Sequence, residues 1–526
     1  MKLADFILSH DGDDLAALAL ARSRYAGELE ADGGGLGGSS GGGPGGGPGG
    51  GPGAGLGGGP SGGSGAGLAS DGGSGAGLGG GPRGDPGAGL ASGRRAGEAA
   101  FDLALTTLEV RRKLRDKVPQ WHAVPSLVYP LRISGEQCSS SATARYKASV
   151  AAGACAQECP GAHGGCIADL TGGLGVDSWA FAQVFREVLY NEMRPELADA
   201  AVHNFRELGV TNIQVRNCAL VPSGMASADR PENGRTVSEI LGPFRPDILF
   251  LDPARRAADG RKVFRLEDCQ PDVLSLLPEL LSACPRLLLK LSPMADITLV
   301  CKQLGCVRKV HVVSADGECK ELLLLLEAGW AGPRTLTVVE DGAVMQVPVA
   351  GGVAGNVPCA VPDVVPDVVP DVVPGVVPGA VIQVPVAGDT PGAVMAGTLS
   401  APPSAGDLLF EPGKALLKAG AFDLPCTFGL SKLGRHTHLY VGAAIPEALR
   451  PFGKCFRLLE ALPLDKRGMR TIGQKYPRAD VTARNIPLTS DQLRVKLGVR
   501  SGGDVHIFGL HSDALHSNLL LVARRA

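Results

Sequence analysis

Through the middle of the chain, short apolar runs of strand length alternate with segments of helical period. Ile167-Ala168-Asp169-Leu170 opens the series; Thr171-Gly172-Gly173-Leu174-Gly175 follows as a turn, and a helical pattern runs from Ser178 to Val188. A second apolar run, Phe185 to Glu192, ends in an acid. Pro195 to Leu208 sets Leu197, Ala201, Phe205 and Leu208 on one helical face, and Ile213 to Cys218 predicts a third strand. Ile248 to Leu251 is a fourth strand, ending in Asp252-Pro253; Leu287 to Leu291 and Leu322 to Glu327 are further candidates. Strands alternating with helices predict an α/β fold, a Rossmann-like domain with a largely parallel sheet. Ahead of it, Asp5 to Ala31 and Gly97 to Lys117 have helical patterns.

Two tracts break the periodicity. Residues 33–93 are rich in Gly, Pro and Ser, with Gly-Ala-Gly-Leu at Gly53, Gly65, Gly75 and Gly87. Such composition buries too little apolar area to offset chain entropy, so a disordered insert is expected. Residues 342–406 are rich in Val, Pro and Gly, with Pro-x-Val-Val tetrads from Pro362, Pro366, Pro370 and Pro374. Gly342 to Gly351 recurs almost unchanged from Gly379 to Gly388. Prolines every four residues favour extended chain, so a low-complexity linker is expected there. The division is then a helical region over 1–150, the α/β domain over 151–341, the linker over 342–406, and small α+β modules over 407–460 and 461–526.

The whole-chain charge of −2 excludes no partner, but 18 Lys/Arg stand against 9 Asp/Glu between Phe410 and Ala526. A local basic surplus on a small module is the footprint of phosphate contact, although a solvated charged face has the same composition. Its densest stretch holds Lys466, Arg467, Arg470, Lys475 and Arg478. The 13 scattered cysteines, the lack of a secretory signal and the lack of a long apolar run predict a reduced, cytoplasmic setting with no membrane contact. Cys155, Cys159 and Cys166 with His163 match no metal-ligand spacing, and no metal is expected. His436 and His438 are expected to point one way from an exposed strand.

The glycine turn has three readings. The nicotinamide fingerprint begins at Gly173-Leu174-Gly175 but lacks its third glycine, since Ser178 stands there. An acid followed by Gly-x-Gly also suits S-adenosylmethionine, whose methionine part approaches the backbone. A turn without ligand is the third. Glu192 at the tip of the second strand suits ribose hydroxyls in either cofactor. Asp252-Pro253 distinguishes them, because it resembles the (Asp/Asn)-Pro-Pro-x motif beside the transferred methyl in class I S-adenosylmethionine-dependent methyltransferases; such a carboxylate and the next carbonyl can hold a target amine in line with the methyl. Arg255 and Arg256 then suit a substrate phosphate, or pair with Glu267 or Asp268. The strand Leu287 to Leu291 is followed by Ser292 rather than a cysteine, which points to transfer onto nitrogen and away from a covalent adduct at pyrimidine carbon.

Gln137-Cys138-Ser139-Ser140, Thr143-Ala144-Arg145-Tyr146-Lys147, Asp169-Leu170-Thr171-Gly172-Gly173-Leu174-Gly175-Val176-Asp177, Asp252-Pro253-Ala254-Arg255-Arg256 and Lys262-Val263-Phe264-Arg265-Leu266-Glu267-Asp268 together resemble the bacterial class I S-adenosylmethionine-dependent methyltransferases with a THUMP-like C-terminal domain. Phe410 to Gly420 and His436 to Tyr440 resemble that family's ferredoxin-like module. The resemblance implies a class I methyltransferase domain with an N-terminal helical region and small α+β C-terminal modules. It implies S-adenosylmethionine held by Asp169, Thr171, Gly173, Gly175, Asp177 and Glu192, with Asn217 substituting at the adenine because Cys218 occupies the usual acid's position. Asp252, Pro253 and Arg255 would serve catalysis, and the basic C-terminal residues would hold structured RNA, tRNA or rRNA, rather than DNA. Two alternatives stay open: an RNA-binding protein with a decayed methyltransferase fold, and methylation of a small molecule or protein.

Overall fold

The computed structural model describes residues 2–25, 29, 86–156, 165–255, 265–347, 382–383, 399 and 401–526. The chain forms two compact units, Met1–Glu136 and Gln137–Ala526. In the first, α1 (Leu3–His10), α2 (Leu15–Leu20), α3 (Arg22–Tyr25) and the long α4 (Pro86–Lys117) share a core of Phe6, Ile7, Leu18, Phe101, Leu105 and Leu108. The expected single helix over 5–31 is thus three short ones, with the second capped by Asp14. The glycine-rich tract lies outside the described residues up to 85; from Pro86 onward the chain is helix, so the expected insert end at 93 falls inside α4.

In the second unit, α5 (Ser141–Ala156) precedes β1 (Cys166–Asp169), so the expected boundary at 150 cuts a helix. Then come α6 (Val176–Phe181), β2 (Glu187–Asn191), α7 (Pro195–Glu207), β3 (Ile213–Arg216), β4 (Ile248–Leu251), α8 (Val273–Ala283), β5 (Arg286–Leu291), α9 (Ile297–Leu304), β6 (Val307–Ala315) and β7 (Glu318–Glu327). The helix predicted over 178–188 stops at Phe181, because the apolar run that follows belongs to β2. A hairpin, β8 (Thr335–Glu340) and β9 (Ala343–Val347), turns at Asp341-Gly342, both with positive φ, 47° and 89°. That is the two-residue turn whose twist suits paired strands. It carries the sheet across residue 341 and into the tract expected to be linker.

These strands and the short β10 (Ile382–Gln383) form one sheet in the order β10-β9-β8-β6-β7-β5-β4-β1-β2-β3. β1 pairs in parallel with both β2 and β4, and β4 with β5; β7 runs antiparallel to β5 and β6. β1 and β4 are buried at every residue, as expected of parallel strands covered on both faces. β10 pairs with β9 through Met345↔Ile382 and Gln346↔Gln383, which occupy equivalent positions of the two copies of the internal repeat. The rest of the Val/Pro-rich tract lies almost wholly outside the described residues.

β11 (Leu408–Pro412), α10 (Lys414–Lys418), β12 (Ser431–Lys432), β13 (Tyr440–Gly442), β14 (Gly453–Pro463), α11 (Lys466–Lys475), β15 (Asp480–Arg484), α12 (Ser490–Leu497), β16 (Val505–Ser512) and β17 (Ser517–Arg525) complete the chain. Their strands make a second sheet, β12-β13-β11-β14-β17-β16-β15. β14 pairs with β11 on one side and β17 on the other, so both expected modules share a sheet and the boundary at 460 lies within β14. One apolar core runs from β1 through Val338 and Met345 to Phe410, Ala415, Leu416 and Phe452. Glu340 ties the two sheets by polar contacts. Its carboxylate accepts from the Ser314 hydroxyl (3.0 Å) and from the N–H groups of Lys414 (3.3 Å) and Ala415 (3.0 Å), which open α10.

Candidate active site at the strand ends

The order β3-β2-β1-β4-β5 reverses between β1 and β4, and the residues of interest gather at the carboxyl ends of these strands, where open α/β sheets hold ligands. After β1 the chain turns through Gly173 (φ 55°) and Gly175 (φ 94°), left-handed conformations that favour glycine. Gly172 is needed for a different reason: a Cβ there would stand 2.1 Å from the Tyr190 ring. The Tyr190 hydroxyl donates to the Gly173 carbonyl at 2.6 Å, which fixes the turn over β2.

Asp169 is buried at the end of β1. One oxygen accepts from the Ser178 hydroxyl (2.6 Å) and the other from the Thr171 N–H (3.1 Å). Burial outweighs these bonds and pushes its pKa up to about 8, with Asp177 and Asp252 adding to the rise. Glu192 lies just beyond β2. Its two oxygens accept from the N–H groups of Gly173 (2.8 Å) and Arg194 (2.9 Å), and each retains a lone pair for a diol. Asn217 donates to the Glu192 carbonyl at 2.8 Å, leaving its amide oxygen as the acceptor beside the crevice. Asn191, which sequence reasoning missed, donates to the carbonyls of Leu170 and Cys218 and accepts from the Cys218 N–H, so one buried amide joins the ends of β1, β2 and β3. The Cys218 thiol is half-buried, and that desolvation raises its pKa.

Asp177 takes a different place from the one expected. Its carboxylate meets the Lys147 ammonium at 3.2 Å and accepts from the Ser139 hydroxyl at 2.8 Å. Lys147 is fully enclosed and also donates to both oxygens of Glu321, at 2.9 Å each. Ser139, Lys147, Asp177 and Glu321 thus form a buried ionic floor, and the Gln-Cys-Ser-Ser run serves it. Ser140 bonds the Thr143 N–H at the start of α5. Beside this group, the Tyr146 hydroxyl bonds His311 Nδ1 at 2.7 Å, and burial pushes His311 down to about 3.

Asp252 sits where β4 ends, its side chain 33% exposed. Thr171 Oγ1 accepts from its N–H at 2.6 Å, which joins the glycine turn to the Asp-Pro corner, and Pro253 is buried behind it. Asp252 Oδ2 accepts a hydrogen bond from Lys290 of β5. Burial alone would lower the lysine's pKa, but Asp252, Glu321 and Asp177 outweigh it and hold it raised. Lys290 was also missed by sequence reasoning, although one lysine in the run Leu287 to Leu291 is itself a signal: a charge among buried leucines requires a partner.

Arg255 lies on a two-residue strand paired with Cys269; its side chain, Arg256 and residues 256–264 lie outside the described residues, as do Cys159 and His163. Among the described residues no group of three metal-ligating side chains occurs. Lys466, Arg467, Arg470 and Lys475 are exposed on α11, with Arg478 exposed beyond it. Lys475 pairs with Glu460 at 2.7 Å. His436 and His438 stand in a turn and not on a strand: His438 has φ 48° and its ring packs 4.3 Å from Phe422, while His436 is exposed.

Fold and crevice define a class I methyltransferase fold, a doubly wound sheet with a reversed strand between the fifth and sixth. The C-terminal part specifies it further: residues 408–448 match a ferredoxin-like domain and residues 453–525 a THUMP domain-like family. The crystal structure of a candidate methyltransferase from Porphyromonas gingivalis W83 is similar, with a TM-score of 0.59 and 28% identity, covering 81% of this chain and 90% of that one. A tRNA/tmRNA (uracil-C(5))-methyltransferase from Aeromonas hydrophila is 30% identical over 118 residues, 21% of this chain. The match spans 31% of that relative's length. No helix among the described residues is long and apolar enough to cross a membrane.

Proposed function

We propose that the chain is an S-adenosylmethionine-dependent methyltransferase acting on a base nitrogen of structured RNA, tRNA or rRNA, in the cytoplasm. The observation that carries the reading is the joining of two motifs through Thr171: the glycine turn with its buried acid, and the Asp252-Pro253 corner, lie on adjacent strand ends. The turn fits the cofactor. Gly173 and Gly175 leave room for its methionine part, Asp169 lies beneath that turn, and Glu192 retains acceptors for the ribose. When bound, S-adenosylmethionine supplies a methyl group already activated for transfer. The protein's own part is to orient. Thr171 fixes the backbone of Asp252, Lys290 holds one carboxylate oxygen, and the other oxygen is placed to accept from an acceptor amine. Positioning of this kind contributes much of the rate when the electrophile is preactivated. The basic surface of α11 and Arg478 suits RNA phosphates, and THUMP-like character at residues 453–525 supports that partner.

Tritiated methyl transfer from S-adenosylmethionine to fractionated total RNA, followed by nucleoside analysis, tests the reading. A methylated base nitrogen is expected; a carbon-5 methylpyrimidine would contradict the nitrogen assignment. An RNA-binding protein with a decayed site would instead retain RNA and give no transfer.

A further inference from the structure

Lys290 is a cation bonded to Asp252 at the proposed transfer point, with acids of two further elements near it. Asp252 at the end of β4 takes its hydrogen bond, while Glu321 of β7 and Asp177 of α6 act on it electrostatically. Glu321 and Asp177 are themselves bound to Lys147. Its side chain retains 14% exposure, next to a carboxylate that is one-third exposed. An ammonium has three donors, and Asp252 Oδ2 engages one of them. Asp252 in turn has a second oxygen. The pair therefore offers hydrogen-bond donors and an acceptor side by side.

Resting on the methyltransferase reading above, we propose that Lys290 and Asp252 together take the edge of a neutral nucleobase and exclude protonated amines. Asp252 Oδ1 accepts from the N–H of the target nitrogen. Lys290 donates to the ring nitrogen or carbonyl oxygen beside it. The nitrogen lone pair forms the new C–N bond as the C–S bond breaks toward sulfur, and the N–H proton leaves to Asp252 or water. A donor–acceptor pair matches the base edges of RNA, where an amino or imino N–H neighbours an acceptor. A lysine or arginine side chain of a protein substrate carries only donors and a positive charge, and would meet the Lys290 ammonium with like charge.

The test uses the full chain with tritiated S-adenosylmethionine, offered deproteinised total RNA and nuclease-treated total protein from one extract. Label is expected in RNA and on no lysine or arginine side chain of protein. Lys290→Met is expected to lower kcat on RNA about 100-fold, as for loss of a charged donor at a reacting group. Lys290→Arg is expected to recover part of that loss, with S-adenosylhomocysteine affinity unchanged in both. Label on lysine or arginine nitrogen in protein from the wild-type chain overturns the inference without recourse to any variant, and so does a Lys290→Met chain with normal kcat and KM. No label in either pool and no heat with S-adenosylhomocysteine would instead remove the methyltransferase reading on which the inference stands.

Discussion

Asp169 is enclosed at the end of β1 with a pKa near 8, and this sets the sign of one pH effect. An unfolded chain loses that proton near pH 4, whereas the native chain keeps it until about 8. Stability therefore falls as pH rises between those values, by up to about 1.4 kcal/mol per pH unit. Asp169→Asn should abolish this slope, which urea melts at pH 5 and 7.5 would reveal. His311 acts in the opposite sense. Its native pKa is near 3 because it is buried, so the unfolded chain takes up a proton first on acidification. Its contribution is present above about pH 6.5 and is lost toward pH 3; His311→Gln should flatten that acid limb. At Gly172 the effect is steric. With a Cβ 2.1 Å from the Tyr190 ring, Gly172→Ala should cost about 1–3 kcal/mol and displace the turn that Tyr190 holds. At this scale the sequence was legible where residue type alone decides: Gly173 and Gly175 take the left-handed turn conformations, and Asp169 and Glu192 stand at the ends of β1 and β2. The contacts of Asp177 were not, because its partners Ser139 and Lys147 are distant in sequence and only the fold brings them together.

Among the elements, the packing and capping of α10 and α11 carry the clearest consequences. Glu340, on a strand of the first sheet, satisfies the opening N–H groups of α10 and the Ser314 hydroxyl. Glu340→Ala leaves the Lys414 and Ala415 N–H groups unpaired, while Ser314 keeps the Glu318 carbonyl, and should cost about 1–3 kcal/mol. Faster hydrogen exchange at Lys414 and Ala415 would be its local sign. α11 packs against α12 where Gly473 faces the Leu497 carbonyl; an added Cβ would stand 2.0 Å from that oxygen. Gly473→Ala must therefore shift the basic helix, because backbone cannot yield as a side chain does. Strand and helix types were legible from period: α7 falls close to its predicted span, and α12 begins with the Thr489 capping box. Boundaries between modules were not. β14 is shared by both C-terminal modules, and β9 continues past the apparent start of the linker; pairing partners, and not composition, decide where a sheet ends.

For the whole molecule, the shared second sheet means that deleting residues after Ala461 would cut β14 and remove the strand β17 that pairs with it, so truncation cannot isolate RNA binding. Charge reversal on the exposed face can. Replacing Lys466, Arg467 and Arg470 by Glu should weaken RNA retention broadly across sequences and lower the salt slope by roughly one for each phosphate no longer neutralised. Unchanged retention would place the RNA surface elsewhere. The doubly wound architecture was legible because buried parallel strands read as continuous apolar runs. The continuity of core from β1 to Phe452 was not, because a low-complexity tract stands between those segments in sequence.

The central claim is that the crevice beside Asp169 and Glu192 holds the methyl donor. Calorimetric titration of the purified full chain with S-adenosylhomocysteine tests it most directly. One site per chain is expected, with affinity falling at least about tenfold, some 1.4 kcal/mol, in a folded Glu192→Ala variant. Absence of heat from the folded wild-type chain would contradict the account.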